Sequence, residues 1–148
     1  VSTAFTLYEL DVANHNDTAT YYLEIFSSGF TGELEDYYKF IAGGANGLKQ
    51  HTNGRFQALA PGAVSQWLGP VQNQAYKLGT VTHVDDGKLV FNHDGTYEAE
   101  SSLYTGQAAT LFNIGHSTDG SGWKIRNFQR YDIADYQQGK DIIDGLMA

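Results

Sequence analysis

The sequence predicts a mainly β protein, either an antiparallel sandwich or an open barrel. Three observations carry that reading. Apolar and polar residues alternate with a period of two in several stretches, and those stretches are rich in aromatic and β-branched residues. Asp-Gly pairs recur at short intervals, a strong short-range signal for hairpins. Glycine fills 17 of 148 positions against 2 prolines, while charged residues make up 18% and aromatic residues 14%. Low charge with many glycine turns suits a strand-rich globule. The length fits a single domain over 1–148, able to bury about two-thirds of its unfolded surface. The competing architecture is an α+β cone, with N-terminal helices packed on a curved sheet. It needs a helical start, which the early alternation disfavours.

Phe5 to Val12 alternates, with Tyr8, Leu10 and Val12 on one face and Glu9 and Asp11 on the other. Thr18 to Phe26 does the same, with Tyr21, Leu23 and Ile25 opposite Thr20, Tyr22 and Glu24. The polar residues Ala13 to Asp17 between them form turns readily, so the two segments read as a hairpin. The rival reading is a helix from Asp17 to Ser28. One helix is expected over 31–42. Thr31 can cap it, Glu33, Glu35 and Asp36 suit the positive end of its dipole, and Leu34, Tyr38 and Ile41 form one stripe. Gly43-Gly44 then reads as its stop, and the glycine-rich run up to Lys49 fits no nucleotide-binding spacing. Between 45 and 73 the pattern is weak: a strand over Gly54 to Ala60, and a helical turn around Trp67 between Pro61 and Pro70.

From Gln74 the pattern predicts a five-strand meander over 75–84, 88–93, 96–104, 108–116 and 123–133. Turns fall at Asp86-Gly87, Asp94-Gly95, Thr105-Gly106 and Asp119-Gly120. The tail offers one helical turn, spaced by Ile142, Ile143, Leu146 and Met147.

Composition narrows the function. Nine basic against seventeen acidic residues give a net charge of −8. That argues against nucleic acid and against anionic membrane surfaces as partners. The absence of cysteine excludes a disulfide scaffold, thiol catalysis and Cys-based metal sites. No apolar run approaches the roughly 20 residues of a membrane-spanning helix. The chain opens on Val1 and holds its one methionine at Met147, so the expectation is a processed, secreted protein rather than a cytoplasmic one.

Hairpin pairing propagates face assignments along a meander. One face then collects Tyr97, Ser101, Thr110, Phe112, Ile114, His116, Trp123, Ile125, Asn127, Gln129 and Tyr131. The other collects Glu98, Glu100, Asn113, Lys124, Arg126 and Arg130, with the arginines neutralising the glutamates. The first face joins an apolar wall to uncharged hydrogen-bonding groups, which is how small-molecule pockets are composed. Ser101, Thr110, Phe112, Trp123, Asn127, Gln129 and Tyr131 are therefore the expected ligand-binding residues. Their neutrality suits a small neutral ligand or glycan, held by a non-enzymatic binding protein that needs no cofactor. Tyr22 and Tyr104 add candidate stacking platforms at the surface.

Two other functions fit the same residues. In a small cofactor-free isomerase, dehydratase or cyclase of the cone type, His116 serves as acid or base and Tyr97 assists. A structural or assembly subunit also suits the low charge and aromatic surface. No metal site is expected: the histidines lack helical i, i+4 spacing, His83 and His93 are not opposite each other, and His15 and His93 fall in solvated turns.

Overall fold

The computed structural model describes residues 8–11, 18–27, 37–43, 46–51, 56–60, 63–69, 74–83, 85–102, 111–114, 124–133 and 135–148. The early strands are β1 (Tyr8–Asp11), β2 (Thr18–Ser27), β3 (Tyr37–Gly43), β4 (Asn46–His51), β5 (Phe56–Ala60) and β6 (Ala63–Trp67). They are followed by β7 (Gln74–His83), β8 (Lys88–His93), β9 (Thr96–Tyr97), β10 (Leu111–Ile114), β11 (Lys124–Tyr131) and the helix α1 (Tyr136–Met147). The protein is mainly β, with two antiparallel sheets and a C-terminal helix. One sheet has the order β1-β10-β3-β4-β5-β6 and the other β11-β2-β7-β8-β9.

The sheets meet through aromatic side chains. Phe56 of the six-stranded sheet sits 5.5 Å from the Tyr76 ring and 6.5 Å from the Phe91 ring of the five-stranded sheet. Trp67 packs edge-on to Tyr76 at 5.2 Å. Ser65 reaches across to accept a hydrogen bond of 3.1 Å from the Phe91 N–H. Along β2 the alternation read in the sequence holds: Ala19, Tyr21, Leu23 and Ile25 are buried on the face toward the other sheet. The opposite face is buried too. Thr20 and Tyr22 lie there with Val81 and Val90, beneath α1.

Helix α1 rests on this outer face through small residues. A Cβ built on Gly79 would lie 2.7 Å from Ile143 Cδ1, and one built on Gly139 would lie 2.3 Å from Ile133 Cδ1. The single turn expected in the tail is thus the last part of a 12-residue helix. Its start is set by Asp135, whose carboxylate accepts from the N–H groups of Gln137 (2.7 Å) and Gln138 (3.2 Å). These are two of the donors that a helix start leaves without partners. Asp135→Ala should cost about 1 kcal/mol, read as a lower urea midpoint at unchanged m. An unchanged midpoint would show that the cap contributes nothing.

Several expectations are corrected. Residues 37–42, read as the end of a helix over 31–42, form strand β3 together with Gly43; 31–36 lie outside the described residues. Tyr37, Tyr38, Phe40 and Ile41 are strong strand formers. Gly43 pairs with Asn46 in the adjacent strand, so this glycine, read as part of a helix stop, belongs to a strand pair instead; Gly44 lies outside the described residues. The helical turn around Trp67 is strand β6, paired along its length with β5. Strands β1 and β2 do not form a hairpin: β1 pairs with β10, and β2 lies between β11 and β7 in the other sheet. The meander holds from β7 to β9 and then breaks, because β10 enters the six-stranded sheet and β11 pairs with β2. Among the described residues of 96–104, which end at 102, Thr96–Tyr97 is the strand, with one further bridge from Ser101 to Leu89. Local pattern marks where strands are, but the choice of neighbour is made by long-range burial that a period-2 signal does not contain. The Asp94-Gly95 turn is as read: both residues have positive φ, 49° and 96°, between the paired His93 and Thr96. That is the left-handed geometry of a two-residue hairpin.

Candidate functional site

Among the described residues, strand β11 is an edge of the five-stranded sheet. Its register on β2 runs Ile125 to Ile25 and Arg126 to Glu24, then resumes at Gln129 to Tyr22 and Tyr131 to Thr20. Asn127 and Phe128 therefore share Leu23 as their one partner, which is a β-bulge. Asn127 takes φ 54°, a conformation that Asn tolerates better than other side chains except glycine.

The bulge changes which side chains stand together. Paired residues project to the same face, so Arg126, Gln129 and Tyr131 share the outer face with Glu24, Tyr22 and Thr20. Phe128 turns the other way, its ring 6.4 Å from that of Tyr21. In an unbulged strand Arg126 and Gln129 would point to opposite faces.

Hydrogen bonds tie the group into a strip. The Tyr131 hydroxyl donates to Gln129 Oε1. Gln129 Nε2 donates to Asn127 Oδ1 at 3.0 Å. Arg126 Nε donates to Glu24 Oε2 at 2.8 Å, and the Tyr22 hydroxyl donates to Glu24 Oε1 at 3.2 Å. Burial pushes the Glu24 carboxyl up, yet hydrogen bonds from Arg126, Tyr22 and Asn127, with the Arg126 charge, hold it below its ordinary value. Tyr22 is pushed up to about 12, first by burial and then by the Glu24 carboxylate. The strip is thus anchored by an ionised carboxylate on β2 and opens to solvent on β11. The Arg126 side chain is 82% exposed against 21% for Glu24.

Of the residues predicted to form a site, the structure brings Asn127, Gln129 and Tyr131 together here. Ser101 lies at the other end of the same sheet, where it exchanges two 2.9 Å backbone hydrogen bonds with Leu89. Phe112 is in β10, in the six-stranded sheet, paired with Leu10. Thr110, His116 and Trp123 lie outside the described residues, as does Tyr104. The hydroxyl of Tyr97 lies 3.0 Å from the Lys140 carbonyl and 2.9 Å from Asp144 Oδ1, so it fastens α1 to the sheet edge. Burial, and then Asp144, raises its pKa well above the usual tyrosine range.

Other assignments are corrected by the same geometry. Tyr22, expected as a surface platform, is buried under α1. His93, expected in a solvated turn, is buried. Its Nε2 is 2.6 Å from Glu98 Oε1, and its ring lies parallel to Trp67 at 3.8 Å. Glu98 and Glu100 are not neutralised by arginines. Glu100 instead accepts from the Tyr136 hydroxyl at 2.6 Å, while Arg126 pairs with Glu24 and Arg130 with Asp132. His83 pairs with Lys88 and His93 with Leu78, so the two histidines are not opposite each other. Among the described residues no group of three or more His, Asp or Glu side chains is placed to hold a metal ion.

Sequence reasoning missed Glu24 and placed Arg126 on the opposite face from Asn127 and Gln129, and it assigned Tyr22 to the surface. A signal was present. Ile125 and Phe128 are three apart with Asn127 between them, a break in the alternation at a residue that accepts positive φ.

No family model and no curated protein matches the chain. Solved structures do match its fold. Trypanosoma rangeli sialidase in complex with sialic acid is similar at a TM-score of 0.65 and 13% identity, over 88% of this chain and 23% of that one. A structure of botulinum neurotoxin type C, whose cell entry depends upon interaction with two ganglioside molecules, is similar at 0.59 and 10% identity. That match covers 89% of this chain and 36% of the toxin chain. The binding domain of botulinum neurotoxin DC in complex with rat synaptotagmin II gives 0.57 and 10%, over 89% and 36%. At such identities the likeness concerns the fold, and the chain spans between about a fifth and two-fifths of the structures it matches.

Proposed function

We propose that this chain is a non-enzymatic glycan-binding module whose ligand lies along the β11 strip. The bulge carries the reading, because it gathers exposed Arg126 and Asn127 with half-buried Gln129 and Tyr131 along one edge beside Glu24. Side-chain amides and a carboxylate–guanidinium pair beside a tyrosine suit a ligand rich in hydroxyls. Bulges are also over-represented next to binding and active sites, where they re-aim side chains. The fold likeness supports the same reading, since the similar structures include one with bound sialic acid and one of a protein that engages gangliosides. The sequence argument for a strictly neutral ligand drew on Ser101, Thr110, Asn127 and Gln129 acting together. With Ser101 at the far end of the sheet and Arg126 on the strip, neutrality is no longer the guide.

A glycan microarray with the wild type and the double variant Asn127→Gly, Gln129→Ala tests the proposal. Glycine keeps the positive φ while removing the amide, so the backbone is preserved. Wild type should retain at least one glycan class, and the variant should bind it about tenfold more weakly, as expected for losing two hydrogen bonds of ~0.5–1.5 kcal/mol each. Binding by the variant at wild-type strength would move the site away from β11. Retention of no glycan would end the reading.

A further inference from the structure

We infer that the glycan held on the β11 strip carries a carboxylate, and that the distal N–H pair of Arg126 reads it. The inference rests on the glycan reading and specifies its ligand.

The argument is a count of hydrogen-bonding capacity. A guanidinium has five N–H donors in a rigid planar fork. In Arg126 the Nε–H is engaged by Glu24 Oε2 at 2.8 Å, while the side chain is 82% exposed. Its Nη1 and Nη2 groups therefore stand outward as a two-pronged donor edge. Each acceptor oxygen around them already takes one bond, which leaves fewer open acceptor sites than the four N–H groups of the fork. The two Glu24 oxygens take Arg126 and the Tyr22 hydroxyl, Asn127 Oδ1 takes Gln129, and Gln129 Oε1 takes Tyr131. What the strip offers a newcomer is mainly donors, and a planar pair of acceptor oxygens answers them best. A carboxylate presents that pair to guanidinium bidentately, while a sugar hydroxyl is donor and acceptor at once and fills only one prong.

Glu24 fixes the plane of the fork. It also cancels most of the Arg126 charge, so the contact depends on geometry more than on attraction at a distance. That is consistent with a chain of net charge −8, because at physiological ionic strength charges beyond about 8 Å are largely screened. One fork with a compensated charge is also too little for a phosphate backbone, whose binding needs several cations.

The test compares acidic glycans with their carboxyl-reduced counterparts. The probes are 3′-sialyllactose and a glucuronate-ended oligosaccharide, each alongside the same molecule with its carboxyl reduced to the alcohol. Isothermal titration is run on wild type, Arg126→Gln and Arg126→Lys. Wild type should bind the acids about tenfold or more tightly than the alcohols. Arg126→Gln should abolish that preference, and Arg126→Lys should not restore it, because a lysine supplies charge without the fork. Melting temperatures should match across the three proteins, since an exposed ion pair adds little stability. Equal affinity for acid and alcohol in the wild type would overturn the inference and leave the glycan reading standing, as would a preference that survives in Arg126→Gln. Failure of the wild type to bind either form, together with an empty microarray, would overturn both.

Discussion

Phe56→Ala is expected to lower the unfolding free energy by about 3–5 kcal/mol, a large share of the roughly 5–15 kcal/mol that holds most domains folded. Phe56 has 0% of its surface exposed. Its ring meets Trp67 within its own sheet at 6.0 Å, and Tyr76 and Phe91 across the interface at 5.5 and 6.5 Å. Truncation removes apolar area and also leaves a cavity that rigid strands on both sides are poorly able to close. Phe56→Leu should recover most of the loss, because it restores volume without the ring geometry. Urea unfolding followed by tryptophan fluorescence reads both variants, since Trp67 is a neighbour. A loss below about 1 kcal/mol for the alanine variant would mean that the sheets do not share this core, against the ~3–5 expected.

The second large effect concerns two glycines of one helix that should respond in opposite directions. Gly139→Ala places a methyl 2.3 Å from Ile133 Cδ1, 2.5 Å from Thr20 Oγ1 and 2.7 Å from Val81 Cγ1. Three elements crowd the same point, so no single side-chain rotation relieves it. The cost of overpacking, about 1–3 kcal/mol, should exceed the roughly 1 kcal/mol by which alanine is the better helix former. Gly145→Ala meets nothing within 4 Å and should gain up to about that propensity difference. Denaturant midpoints of the two variants read the contrast directly. A stabilising Gly139→Ala would show that α1 does not rest on the sheet at that residue.

These residues also show how far the sequence was legible. The alternation on β2 is plain in the chain, and so is the left-handed turn at Asp94-Gly95, because both are written in neighbouring residues. The burial of Tyr22 is not. Its face of β2 reads as solvent-facing, since Thr20 and Glu24 flank it, and the helix that covers it, α1, comes more than a hundred residues later. Helix α1 reads as only one turn in the sequence because its contact face uses Gly139, where the apolar stripe that announces a helix has a gap. Residues 37–43 erred the other way: Tyr38 and Ile41 fit a helical stripe, yet the run of aromatic and branched residues is a strand. Half of the candidate site was visible in Asn127, Gln129 and Tyr131. The other half, Arg126 with Glu24, required the bulge, which inverts the facing of every residue on one side of it.

The bulge has a second consequence, for the molecule's behaviour in a crowd. A sheet edge with an unbroken row of amide and carbonyl groups recruits strands from other molecules and seeds fibrous stacking. Strand β11 lies at the edge of its sheet among the described residues, and it carries no proline from Lys124 to Tyr131. Its row is interrupted at Asn127 and Phe128, and the exposed, charged Arg126 stands beside the break. The irregularity that assembles the strip therefore guards the same edge against self-propagation. Deleting Asn127 would straighten the strand, scatter the strip to two faces and open a pairing edge in one step.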